Sequence, residues 1–89
     1  MKELEKLRQE IDEIDKEMTA LFEKRMEIAK KIAEYKQNNN LPIFDESREK
    51  EVIKKNIEKL NNKDLANELK EFYSTIFRLS KDIQKKYIK

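Results

Sequence analysis

The 89-residue chain has no glycine, no cysteine, no histidine, no tryptophan and one proline. Without glycine, the positive-φ positions of tight hairpins have no ready occupant, and phosphate-cradling loops are excluded. Without histidine and cysteine there is no Ser-His or Cys-His nucleophile pair and no zinc-type ligand set. An enzyme built from this chain works without a metal, through positioning and fixed charge. There is also no run of ~18 apolar residues and no signal peptide. A soluble cytoplasmic protein, away from membranes, is therefore expected.

What remains is rich in Glu, Lys, Leu, Ile and Ala, and this composition predicts an all-α protein. Charged residues outnumber hydrophobic ones, 45% to 37%, so the core of a single chain is small. The charges interleave to a net +2. No basic block stands out, which argues against nucleic-acid binding. Acid-first pairs four apart, such as Glu27 with Lys31, Glu51 with Lys55 and Asp82 with Lys86, support exposed helix faces.

One domain of three helices is expected over 1–89. Helix 1 runs from about residue 3 to about residue 37, where an Asn cluster and then Pro42 stop it. Asp45 caps helix 2, which ends near Lys59. Asp64 is expected to cap helix 3, over about 65–87 with Leu65, Leu69, Phe72, Ile76, Leu79 and Ile83 as its seam. Helix 1 carries its own seam: Leu4, Leu7, Ile11, Ile14, Met18, Leu21, Ile28, Ile32 and Tyr35, spaced mostly by threes and fours. A helix of ~35 residues is ~50 Å long. A compact chain of this size has a radius of gyration near ~12 Å, so the helix projects and its seam needs a cover. A second copy on a two-fold axis is the simplest cover.

The one slot skipped in the helix 1 seam holds Arg25. A buried guanidinium is costly unless an anion meets it. A structural ion pair, or an arginine reaching to solvent, is the alternative. Lys36 follows three turns later on nearly the same side. On helix 2, Arg48 and Glu49 extend the stripe of Val52 and Ile53. On helix 3, the stripe of Tyr73 and Phe77 continues as Ser80 and Gln84. Each interruption alone is explained by a solvated stripe end. Together they suit a small ligand with several negative charges and a hydroxyl. Arg8 lies 17 residues, or ~25 Å, from Arg25 along one helix. It can join the same pocket only from another chain.

Four segments carry a resemblance: "LRQEIDEID" at 7–15, "LFEKRMEIAKKIAEYK" at 21–36, "LPIFDESREKEV" at 41–52 and "SKDIQ" at 80–84. With the P-x-x-D-x-x-R-E spacing at 42–49, the chain resembles the all-α, type II class of chorismate mutase. The resemblance implies an intertwined homodimer of three-helix chains that converts chorismate to prephenate, a step toward phenylalanine and tyrosine. The reaction is a Claisen rearrangement that needs no cofactor, acid, base or nucleophile. The resemblance makes Arg25, and Arg8 from the partner chain, the clamps for the substrate carboxylates. Lys36 and Gln84 become donors to the ether oxygen. Glu49, with the backbone at Asp45, becomes the holder of the ring hydroxyl, and Arg48 and Ser80 become further pocket residues. The chain holds no room for dehydratase or dehydrogenase domains, so a monofunctional enzyme is expected. An isochorismate pyruvate lyase of the same fold and a non-catalytic helical dimerisation module are the competing readings.

Overall fold

The computed structural model describes residues 1–87. Three helices follow in order: α1 (Lys2–Asn38), α2 (Glu46–Glu58) and α3 (Ala66–Tyr87), with a 3-10 turn at Lys63–Leu65 leading into α3. Among the described residues there is no strand. Among the described residues no helix is long and apolar enough to cross a membrane. The fold is all-α, as the composition requires.

α1 forms because nothing in its 37 residues breaks it, and Glu3 and Glu5 in the first turn favour its dipole. It ends at Asn39, and Asn40 takes the left-handed conformation at φ 54°, which asparagine tolerates better than most residues. The Leu41 N–H then donates to the Lys36 carbonyl at 2.8 Å, which satisfies an otherwise orphaned acceptor of the last turn. α2 starts as its sequence dictates: the Asp45 carboxylate accepts from the Arg48 N–H at 3.1 Å and from the Ser47 hydroxyl at 3.0 Å. These bonds, the backbone one foremost, lower the Asp45 pKa.

At the third start the structure corrects the expectation. Asp64 lies inside the 3-10 turn that precedes α3, and Asn62 caps that turn, its Oδ1 accepting from the Asp64 N–H at 3.0 Å. Asn62 sits one residue before the 3-10 turn, where a short side-chain oxygen reaches the second N–H that follows. The surface pairs also resolve differently. Glu51 does pair with Lys55, at 3.5 Å, but Asp82 pairs backward with Arg78 at 3.6 Å.

α1 and α3 pack along each other, and α2 leans on α3. The buried residues of α1 are Met26, Ala29 and Ala33, which are not on the apolar seam. Two alanines let α3 come close, where it buries Ile76, Phe77, Ser80 and Gln84. The expected α3 seam is partly covered: Ile76 is buried and Leu69, Leu79 and Ile83 are half-buried, but Phe72 and Leu65 stay about half exposed. The α1 seam is uncovered within the chain, with Ile11 and Ile14 each 55% exposed and Leu21 65%. The molecule measures 56 × 25 × 15 Å with a radius of gyration of 16.4 Å. That exceeds the ~12 Å of a compact chain of this length, because the N-terminal half of α1 projects.

Candidate active site

A cavity of about 350 Å³ lies where the C-terminal half of α1, the 39–45 loop, the start of α2 and the C-terminal half of α3 meet. α1 contributes Arg25, Ala29, Ile32 and Lys36, spaced four, three and four, so that one helical face meets the cavity. The loop and α2 contribute Asp45, Arg48 and Glu49, and α3 contributes Phe77, Ser80, Lys81 and Gln84. Three elements therefore bring seven of the eight expected site residues together: Arg25, Lys36, Asp45, Arg48, Glu49, Ser80 and Gln84. Arg8 is exposed and lies outside the cavity, nearer the other end of α1.

Each polar group is held by its neighbours. The Arg25 guanidinium stands 5.9 Å from the centre of the Phe77 ring, a cation–π contact that orients it beside the cavity wall. Arg25 also lines an adjoining apolar groove of about 440 Å³ with Met18, Leu21, Phe22, Phe72 and Ile76. The Lys36 ammonium donates to the Ile43 carbonyl at 2.8 Å, tying the loop to the end of α1. An ammonium has three donors, so two are left. Arg48 pairs at 3.1 Å with Glu51 on the exposed side of α2.

Gln84, only 6% exposed, donates from Nε2 to the Ser80 hydroxyl at 3.2 Å. Its Oε1 is buried with no hydrogen-bond partner. Ser80 serves either orientation of the amide, because a hydroxyl both donates and accepts. A half-turn of the amide gives Oε1 the hydroxyl proton and turns Nε2 away from Ser80. Either way, one end of a buried amide is left for a ligand, and buried polar atoms are rarely left without partners.

Sequence reasoning missed Lys81. Its ammonium pairs with Glu49 Oε2 at 3.1 Å and lies 4.6 Å from the centre of the Phe44 ring. Its position, four residues after Phe77 and three before Gln84, was the available signal. The cavity thus carries four cations, Arg25, Lys36, Arg48 and Lys81, against two carboxylates, Asp45 and Glu49. Among the described residues no group of acidic side chains is placed to hold a metal ion. Such a lining can take a small, multiply anionic ligand with a hydroxyl.

The family model of chorismate mutase type II matches residues 7–85. The chain is 43% identical over 77 residues, 86% of its length, to the bifunctional chorismate mutase/prephenate dehydratase of Aquifex aeolicus (strain VF5). It is 41% identical over 49 residues, 55% of its length, to the T-protein of Haemophilus influenzae. The chain spans only 19% and 13% of those two relatives. No solved structure matches it. The family match takes in all three helices and every residue that brings charge to the cavity, and the chain belongs to the chorismate mutase type II family.

Proposed function

We propose that the chain catalyses the rearrangement of chorismate to prephenate. The observation that carries this reading is the convergence of Arg25, Lys36, Glu49 and Gln84, from three helices, on one cavity. Chorismate is a dianion. Arg25 clamps one carboxylate, since a planar guanidinium matches a carboxylate with two parallel hydrogen bonds. Lys36 bonds a carboxylate and the ether oxygen, and Gln84 donates to the same oxygen. Glu49, with the backbone at Asp45, holds the ring hydroxyl. Arg48 adds positive charge, and Ser80 steadies the Gln84 amide.

The chemistry asks for nothing that the chain lacks. One C–O bond breaks while one C–C bond forms within a single molecule, so no group is transferred to the protein. Holding the enolpyruvyl arm over the ring lowers the entropic part of the barrier. Negative charge grows on the ether oxygen as the C–O bond stretches. A fixed ammonium and a fixed amide there stabilise the transition state more than the ground state.

The working form is a homodimer. The uncovered seam of α1, exposed along the projecting half of the helix, supports a second copy packed antiparallel to it. That packing carries Arg8 of each copy to the cavity of the other, where it meets the second carboxylate.

The test is to mix purified protein with chorismate and follow prephenate formation by absorbance. Wild-type protein turns over. Lys36→Ala and Arg25→Ala lose about 10²–10³-fold in kcat/KM, the cost of one transition-state donor, while circular dichroism stays helical. Retained activity in either variant overturns the assignment of roles.

A further inference from the structure

We propose that Lys81 is a positioning residue that presents Glu49 to the hydroxyl of the ligand, an inference that rests on the chorismate reading above. The ion pairs of the described residues set it apart. The other four join residues three or four apart on one helix, with side chains more than half exposed. The Lys81–Glu49 pair alone joins two elements, α3 to α2, at 3.1 Å, with side chains 29% and 25% exposed. Solvent screens it less than the surface pairs. The same ammonium sits over the Phe44 ring in the 39–45 loop. One cation therefore ties together the three walls that hold the hydroxyl-binding corner.

Two consequences follow for Glu49. The first is electrostatic. A carboxylate in a cavity for a dianion repels its own ligand, and an ammonium 3.1 Å away offsets that repulsion. The second is geometric. Lys81 engages Oε2, which fixes the rotamer of Glu49 and leaves the other carboxylate oxygen as the acceptor for a hydroxyl. Lys81 itself need not touch the ligand to do this. An apolar residue at position 81 would fill the same wall but leave Glu49 charged, unpaired and free to change rotamer.

The experiment uses two bicyclic dicarboxylate mimics of the transition state, identical except that one lacks the hydroxyl, with affinities read by calorimetry. Losing a cation weakens both mimics by a common factor, so the informative quantity is the ratio of the two affinities. In Lys81→Met that ratio falls about tenfold in the hydroxylated mimic's disfavour, the scale of one charge-assisted hydrogen bond. Lys81→Arg, which keeps the ion pair, retains the wild-type ratio and serves if the methionine variant does not fold. Glu49→Gln lowers the ratio as well, and adding Lys81→Met to it changes the ratio no further. An unchanged ratio in Lys81→Met beside a lowered one in Glu49→Gln overturns the inference and leaves the functional reading intact. An unchanged ratio in both variants overturns the inference through Glu49. Wild-type protein that binds neither mimic overturns the functional reading, and the inference with it.

Discussion

Gln84 is the residue whose surroundings decide most about pH. It is buried beside Ser80 and carries no charge in any pH range a protein survives. The chain has no histidine, so no side chain with an ordinary pKa titrates near neutrality. We therefore expect kcat to be flat between roughly pH 5 and 8, measured as initial rates of chorismate loss. Gln84→Glu breaks this. A carboxylate aimed at a developing negative charge repels it, so that variant gains activity only as acid protonates it. A flat profile in Gln84→Glu would mean that the amide does not face the reacting oxygen.

Stability follows a different residue. The Asp45 pKa is lowered in the folded chain, chiefly by the Arg48 N–H and then by the Ser47 hydroxyl. A depressed carboxylate stabilises the fold above its unfolded value, here 3.8, and that contribution is lost as pH falls through the folded value. Asp45→Asn, which keeps a capping oxygen but no charge, is expected to flatten the acid limb of a melting-temperature-against-pH curve below about pH 4.

At the scale of elements, α1 carries two stripes with different tasks, and they were unequally visible in the sequence. The helix ends were legible because asparagines, a proline and a capping aspartate mark them. The large-residue seam was legible too, but the structure leaves it uncovered. The stripe that packs on α3 is Met26, Ala29 and Ala33, and small residues give little signal in a hydrophobic pattern. On α3 the most buried face is the stripe of Phe77, Ser80 and Gln84, which was legible as an interrupted apolar face, while the all-apolar seam beside it is only partly covered. Ala33 is fully buried, so Ala33→Leu overpacks the α1–α3 contact and is expected to cost ~1–3 kcal/mol in chemical denaturation.

Of the seven expected residues that meet at the cavity, Arg25, Lys36, Arg48, Glu49, Ser80 and Gln84 stood out because each interrupts or prolongs an apolar face. Asp45 was legible only as a helix cap and joined the set through the family resemblance. Lys81 did not stand out, since one lysine among 21 basic residues looks like surface until its partner is known.

For the whole molecule, the 16.4 Å radius of gyration and the bare seam of α1 belong together. A dimer that shares Arg8 makes a sharp prediction. Arg8→Ala and Arg25→Ala chains each keep only a residual activity alone, because every site lacks one arginine. Mixed, unfolded and refolded together, they form hybrids with one intact site. About a quarter of the wild-type activity should return if the two chains pair at random. Two impaired chains that gain nothing on mixing would place Arg8 outside the partner's site.

The uninterrupted α1 also fixes how this chain can change. Thirty-seven residues in one rigid rod leave no slack between its ends. Inserting a single residue between positions 8 and 25 would swing one arginine about 100° around the axis relative to the other and shift it ~1.5 Å along. No break in the helix lies between them to absorb such an error. In the proposed dimer, where Arg8 reaches the partner's site, this spacing acts as a ruler, so tolerated lengthening comes in steps of about seven residues, two whole turns.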